Sequence, residues 1–285
     1  MGVVMRRIAI SILASVLLAG AASAADLSSV PVKAPEGPST PVWDVSFGVT
    51  GTTDYVFRGI SQTKGNAAIQ GFAELSLFDW IYAGVWGSNV SFPGSGSMEL
   101  DVYGGLRNTW GPLTVDVGIL GFLYPGSDAG SSINAWEVHF KPTYDVTNWL
   151  NVGAFIYYTS DYAATGTDGT YLGGTVKITL PNFGPENAIG WFLSGEYGYQ
   201  WLDHGFWTSA FTSPWTGATY YVDIPGYNNW SVGLGLTYKA ATLDLRYYGT
   251  DLSGDQCVML IGDSSSCGNR YVASLSFATA FSALK

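Results

Sequence analysis

Residues 228–238 read Asn-Asn-Trp-Ser-Val-Gly-Leu-Gly-Leu-Thr-Tyr, and every second side chain from Trp230 onward is large and apolar or aromatic. Serine, glycine and threonine fill the positions between them. Because successive side chains of a strand point to opposite faces, this stretch predicts a β-strand with one apolar and one small-polar face. Trp230 and Tyr238 lie eight residues apart. That separation is about 27 Å along a strand and about 20 Å across a layer at a 45° tilt, which matches the apolar band of a membrane barrel.

Composition decides which face points outward, because a soluble ligand-binding barrel alternates in the same way with its apolar face inward. Charged residues make up 12% of the chain, whereas a soluble domain contains about 25%. The chain also contains 15% aromatic residues and 37 glycines. We therefore expect the apolar faces to meet lipid and the small polar faces to line a crowded lumen.

Residues 1–24 have the organisation of a secretory signal peptide. Arg6 and Arg7 precede an apolar run over residues 8–18, and residues 22–24 (Ala-Ser-Ala) form a cleavage site. The alternative, an uncleaved anchor, is disfavoured because the run is too short to span a bilayer. The sequence therefore predicts export.

The rest of the chain divides into a short lead-in and one domain. Residues 25–42 contain four prolines, which predict an extended periplasmic lead-in. Residues 43–285 show the same composition and pattern throughout, which predicts a single barrel domain. Without Arg6 and Arg7 the 12 basic residues fall to 10, against 22 acidic ones, which argues against a nucleic-acid partner. Since no later stretch is long and apolar enough for a membrane helix, a closed barrel is the expected way to cross a bilayer.

Alternation and turn signals predict an all-β, antiparallel up-and-down transmembrane barrel of about 12 strands. The predicted strands are 43–52, 66–77, 80–90, 97–110, 113–124, 133–144, 149–159, 169–180, 188–200, 227–238, 241–250 and 270–281. Short and long connections alternate strictly between them, as periplasmic turns and extracellular loops do in outer-membrane barrels. We therefore expect the outer membrane of a Gram-negative bacterium, with outer-membrane lipid, lipopolysaccharide and the barrel-assembly machinery as partners.

Six aromatic residues near strand ends are predicted to lie at the lipid–water interfaces. They are Trp43, Trp80, Trp110, Trp230, Tyr238 and Phe281.

Three sequence blocks resemble a known family. Residues 53–62 read TDYVFRGISQ, residues 82–90 read YAGVWGSNV and residues 99–105 read ELDVYGG. Together they resemble the TorF-type porins of proteobacteria, a family of outer-membrane barrels without a defined substrate. The resemblance implies a location and a pore for solutes.

If the apolar faces look outward, strand parity selects the charged side chains that line the pore. They are Asp44, Glu74, Glu99, Asp101, Arg107, Asp116, Glu137, His139, Lys141, Lys177, Glu196, Asp244 and Arg246. Eight of them are acids and four are bases, with the histidine taken as neutral. The acidic surplus predicts a modest cation preference. The alternative is that these charges pair across the wall and plug the lumen.

Arg58 lies in the first block, just beyond the first strand, where a loop folding inward would place its guanidinium at a constriction. The alternative is that Asp54 or another loop acid holds Arg58 and fixes the strand exit. Tyr55 and Phe57 are expected in the outer aromatic girdle.

Two other loops carry candidate features. Cys257 and Cys267 lie in the last long loop, and export to an oxidising compartment predicts a disulfide between them. The loop 201–226 is rich in aromatic residues, which are candidates to bind a sugar or peptide by stacking or to fold into the mouth as a constriction. The alternative is that they pack on their own neighbours or reinforce the outer girdle.

Catalysis is not expected, because the two histidines, His139 and His204, lack an assigned serine partner and no other catalytic pattern rises above chance. No cofactor or metal is expected. The preferred interpretation is a passive channel for small polar solutes. The alternative is a plugged structural or surface-interaction barrel, and a more remote one is a lipid-acting outer-membrane enzyme.

Overall fold

The computed structural model describes residues 42–127, 133–162, 167–203, 209–212, 219–222 and 226–284. The predicted signal peptide and all but the last residue of the predicted lead-in lie outside these ranges. In the described part of the chain, no helix is long and apolar enough to cross a membrane.

Twelve strands form the wall of one closed barrel, and every neighbouring pair is antiparallel. In chain order they are β1 (Trp43–Thr52), β4 (Ala68–Leu77), β5 (Ile81–Asn89), β6 (Met98–Trp110), β7 (Leu113–Leu123), β8 (Ala135–Asp145), β9 (Leu150–Thr159), β10 (Gly169–Phe183), β11 (Ile189–Leu202), β14 (Gly226–Tyr238), β15 (Ala241–Thr250) and β16 (Arg270–Ala280). Closure is made by β1, which pairs with β4 on one side and with β16 on the other. The predicted barrel of about twelve strands is confirmed, and no strand end differs from its predicted position by more than three residues.

Smaller elements lie in the connections. Two short hairpins, β2 (Val56–Phe57) with β3 (Ile60–Ser61) and β12 (Ser209–Thr212) with β13 (Thr219–Val222), are separate from the barrel sheet. One α-helix, α1 (Gly254–Ile261), follows β15. Its amino end has a capping box, in which Ser253 accepts from the backbone of Gln256 and Gln256 accepts from that of Ser253.

Apolar side chains cover the outside of the wall. On the adjacent strands β7 and β8, the side chains of Val117, Ile119, Val138 and Phe140 are each 46–50% exposed. The intervening positions carry Asp116, Glu137, His139 and Lys141, which are buried on the inner face together with Leu120 and Phe122 toward the loop end. An apolar exterior over a polar interior is the arrangement of a barrel that spans a bilayer.

The barrel has two unlike ends. The turn end carries the short connections 78–80, 111–112, 146–149, 184–188 and 239–240, and the loop end carries the long connections. Of the six predicted interfacial aromatics, Trp43, Trp80, Trp110, Tyr238 and Phe281 are exposed at the turn end, whereas Trp230 is half-buried toward the loop end. Their contact with an interface stays a prediction.

Candidate functional site

The first long connection, residues 53–67, folds back inside the barrel. Its core is a hairpin in which Val56 pairs with Ser61 and Phe57 pairs with Ile60. The two residues between the strands, Arg58 and Gly59, have φ values of 45° and 80°. Two successive residues with positive φ form the turn that best fits the twist of a tight hairpin. We call residues 54–63 the plug hairpin.

Contacts with opposite parts of the wall place the plug hairpin inside the lumen. The ring of Tyr55 packs on Trp86 of β5, with 5.5 Å between centroids, and Phe57 packs on Phe122 of β7 at 5.8 Å. On the other side of the barrel, Val56 packs in a buried cluster with Tyr248 of β15 and Val272 of β16. The hairpin therefore spans the cross-section of the barrel at the loop end.

Arg58 occupies a pocket built by four neighbouring strands. Its guanidinium donates to both carboxylate oxygens of Glu137 on β8, at 3.0 and 2.5 Å, and to Oε1 of Gln200 on β11 at 2.7 Å. The guanidinium carbon lies 5.3 Å from the ring centroid of Tyr157 on β9 and 4.4 Å from that of Tyr171 on β10. We call these four wall residues the Arg58 pocket. The pocket combines a bidentate ion pair with cation–π contacts away from water.

Burial and neighbouring charges change the pKa values of two side chains in the plug hairpin, Arg58 and Tyr55. Desolvation alone lowers the pKa of Arg58, but the Glu137 carboxylate more than offsets this and holds the pKa above its ordinary value. Burial, followed by the charges of Glu99 and Asp101, raises the pKa of Tyr55 well above its usual value. Arg58 is therefore a permanent cation and Tyr55 a neutral hydrogen-bond donor, which binds Glu99 at 2.7 Å.

Two sequence-based interpretations of this segment are wrong. Asp54 does not hold Arg58; it pairs with Arg270 of β16 at 2.6 Å and accepts from Ser61 at 2.6 Å. Tyr55, which is 1% exposed, lies inside the barrel and not in an outer girdle, and Phe57 lies there with it. Both aromatic residues follow the hairpin inward because its strands pair with each other instead of extending β1.

The last long loop covers the plug hairpin. Cys257 on α1 and Cys267 form the predicted disulfide. Both cysteines are buried in one cluster with Ile60 of the hairpin and Tyr227 of β14. The backbone of Ser61 also donates to the carbonyl oxygen of Ser266 at 2.8 Å. The disulfide loop is therefore attached directly to the plug.

Replacing both cysteines with serine is expected to loosen this cover. A disulfide that closes a loop of about ten residues contributes about 2–3 kcal/mol in the loop-entropy model. Hydrogen–deuterium exchange of residues 251–269 should become faster, whereas exchange in β7, residues 113–123, should stay unchanged as the internal control. Unchanged exchange in the loop would show that the other contacts hold it without the disulfide.

The thirteen predicted pore-lining residues fall into two groups by burial. Seven are buried on the inner face, and six are half-buried, in the central and turn-end parts of the barrel. The buried group is Glu99, Asp101, Asp116, Glu137, His139, Lys141 and Asp244; the half-buried group is Asp44, Glu74, Arg107, Lys177, Glu196 and Arg246. The plug hairpin covers the interior at the loop end, where it contacts Glu99 and Glu137 of the buried group.

A second ionic cluster lies below the plug. Arg107 pairs with Glu74 and with Asp116, each at 3.0 Å, and stacks over the ring of Tyr82 at 4.1 Å. Asp116 also contacts His139 at 3.0 Å and Lys141 at 3.5 Å. The cluster lies on β4 to β8, so the predicted pairing of inward charges is extensive on this side of the wall.

Several inward acids have other arrangements. Among the described residues, neither carboxylate oxygen of Asp101 has a hydrogen-bond partner, although Asp101 is 0% exposed. Asp244 pairs with Arg246 at 3.0 Å. Asp44 accepts from the backbone and the hydroxyl of Ser282, just beyond β16, at 3.0 and 2.5 Å. The inward acids are therefore held in several ways, and not all of them by a basic side chain.

Most of the aromatic loop 201–226 lies outside the described residues, and so does His204. Trp201 belongs to β11 and is exposed on the barrel exterior. The two interpretations of this loop stay predictions.

The fold and the site define a transmembrane β-barrel with a hairpin plug held inside its lumen. Residues 35–264 match the model of a family described as "Bacterial protein of unknown function (Gcw_chp)", and the chain belongs to this family. No curated protein matches the chain.

Solved structures with related folds are distant in sequence. The chain is similar to the KdgM porin, with 10% identity, a TM-score of 0.46 and coverage of 82% of this chain and 98% of that one. It is also similar to LpxR from Salmonella typhimurium, with 10% identity, a TM-score of 0.43 and coverage of 82% and 99%. The Pseudomonas putida toluene transporter TodX has 12% identity, a TM-score of 0.39 and coverage of 84% and 90%. Likenesses this distant say nothing about substrate.

Proposed function

We propose that this protein is a porin-type channel of the Gram-negative outer membrane, which admits small polar solutes with a modest preference for cations and is closed at its loop end by the plug hairpin. The observation that carries the proposal is that a separate hairpin, and not the strands of the wall, fills the lumen at that end. Because the hairpin is not part of the barrel sheet, its withdrawal would leave the twelve paired strands intact.

The charges of the interior support the cation preference. The eight predicted inward acids outnumber the four predicted inward bases, and the seated plug hairpin adds one base, Arg58, and one acid, Asp54. Fixed negative charge in a narrow polar passage raises the local concentration of cations.

The apolar exterior supports a bilayer location, and the predicted signal peptide supplies the export route. Outer-membrane lipid, lipopolysaccharide and the barrel-assembly machinery are the partners that follow from that location. The resemblance to TorF-type porins rests on the sequence blocks and agrees with the proposal. A catalytic role is not part of it.

A second candidate is a permanently plugged barrel that displays its loops. The observation that favours it is the depth of burial at the loop end, where Tyr55, Arg58 and Gln200 are at most 3% exposed. The two candidates differ in one respect, which is whether the hairpin ever leaves.

Planar-bilayer recording separates the two candidates. The mature wild-type protein is compared with a variant in which residues 55–62 are replaced by a glycine–serine linker of equal length. We expect infrequent steps from the wild type, frequent steps from the variant and a reversal potential in a salt gradient that favours the cation. Heat-modifiable migration in detergent gels verifies that both proteins form barrels.

Other results of the bilayer recordings would contradict different parts of the proposal. If the wild type gives no steps while the linker variant conducts, the hairpin does not leave and the plugged-barrel alternative stands. If the linker variant forms a barrel and gives no steps, the channel proposal is wrong. If steps occur with a reversal potential that favours the anion, the channel stands and the cation preference is wrong.

A further inference from the structure

The Arg58 pocket has the features of a binding site for a planar organic cation. Glu137 supplies two parallel acceptors, which match the two parallel donors of a guanidinium. Gln200 supplies a third acceptor, and the faces of Tyr157 and Tyr171 supply cation–π contacts. All four residues belong to the wall, so the pocket does not depend on the plug hairpin for its main contacts.

The wall holds the acceptor of Gln200 in position. The side-chain nitrogen of Gln200 donates to the carbonyl oxygens of Thr170, at 3.3 Å, and Trp201, at 2.9 Å. This arrangement aims the amide oxygen of Gln200 at the guanidinium.

The aromatic face is held in a similar way. The Tyr171 hydroxyl lies 3.0 Å from Glu196 and 2.9 Å from Asn229, and its ring stacks on Phe155 at 4.9 Å. Gly198 leaves room for this ring, because a Cβ there would lie 2.4 Å from the Tyr171 hydroxyl. A site whose acceptors and rings are fixed in advance binds its ligand at a lower entropic cost.

Arg58 itself is a tethered ligand of this pocket. A group on a short tether competes with free ligand at an effective concentration of about millimolar order. Arg58 also has positive φ, which is unfavourable for a residue with a side chain. A free solute that presents the same group can therefore compete with Arg58 when its concentration reaches that order.

We propose that the Arg58 pocket is a binding site for solutes with a guanidinium group, and that such a solute, entering from the turn end, displaces Arg58 and releases the plug hairpin. This inference rests on the proposed channel function and deepens it by naming a solute class. Arg58 then links the presence of the solute to the opening of the loop end.

Binding is tested first, without any measurement of transport. Full-length Arg58→Ala protein in detergent is titrated calorimetrically with N-ethylguanidinium chloride, against sodium chloride of equal ionic strength. We expect saturable binding at millimolar concentration or below, and at least a tenfold loss of affinity in the Arg58→Ala/Glu137→Gln variant. No binding beyond the salt control, or equal binding by both variants, would overturn the proposal. Arg58→Gln protein is titrated in the same way if Arg58→Ala does not give a heat-modifiable barrel.

Opening is tested on the wild type in planar bilayers. N-ethylguanidinium added on the turn-end side should raise the frequency of steps above that in equimolar sodium chloride. If the Arg58→Ala protein binds the probe and the wild type shows no rise, displacement of Arg58 is wrong. If the linker variant conducts and no protein binds the probe, the channel stands and the solute class is wrong.

Discussion

Replacement of Glu137 with alanine is expected to release the plug hairpin from the barrel. The change would leave the Arg58 guanidinium buried without its carboxylate, and removing one partner of a buried ion pair typically costs about 3–5 kcal/mol. Leaving the pocket lets Arg58 regain water, so the loss should appear as withdrawal of the hairpin. A difference of that size shifts the balance toward the withdrawn form about a hundredfold or more.

Trypsin measures the withdrawal directly, because the bond after Arg58 is protected while Arg58 is buried. Brief digestion of the folded protein followed by mass spectrometry should show faster cleavage after Arg58 in Glu137→Ala than in the wild type. Cleavage after Lys64, which is exposed in the same connection, is the internal reference. Glu186→Ala removes an exposed carboxylate at the turn end and should leave both rates unchanged. Equal cleavage after Arg58 in all three proteins would mean that Glu137 does not hold the plug.

If the proposed channel exists, replacement of Gly59 with valine is expected to open it without changing any charge. A Cβ at Gly59 would lie 2.4 Å from Cγ2 of Thr250 and 2.9 Å from Cβ of Asn229, so the hairpin turn cannot seat against the wall. The positive φ of 80° adds about 1–2 kcal/mol of backbone strain for a residue with a side chain. Single-channel recording should show more frequent openings than in the wild type.

Gly65→Val is the matched control for this change. Gly65 has a similar φ of 75° in the same connection, but a Cβ there would meet nothing within 4 Å. The control therefore carries the backbone strain without the collision, and its openings should resemble those of the wild type. Equal effects of the two valines would mean that strain, and not contact with the wall, controls the plug.

The strands of the wall were predictable because the sequence pattern that specifies each strand lies within that strand. The alternation in residues 228–238 and in the other strands is visible within each segment, since an apolar exterior imposes it on every strand. The alternation of short and long connections then indicated which end of each strand lies at the turn end and which lies at the loop end. Burial of Glu99, Asp101 and Glu137 on the inner face follows from the same parity.

The plug was only partly predictable because its partners are distant in sequence. The sequence placed Arg58 at a possible constriction, but nothing near it indicates Glu137, so Asp54 was the nearest alternative partner. One local signal for the hairpin was present. Arg58–Gly59 stands between the pairs Val56–Phe57 and Ile60–Ser61, and a two-residue turn ending in glycine between apolar residues is typical of a tight hairpin. That signal predicts the hairpin, but not its direction into the lumen, which depends on the pocket.

The contacts of the plug hairpin also imply an order of events during assembly. Arg58 is separated from Glu137 by 79 residues and from Gln200 by 142, and Asp54 is separated from Arg270 by 216. Contacts between such distant residues form late, after the intervening chain has been placed. The Arg58 pocket requires β8 to β11, and the partner of Asp54 arrives only with β16. The full set of plug contacts is therefore available only after β16 has paired, so a fully seated plug marks a barrel whose assembly is complete.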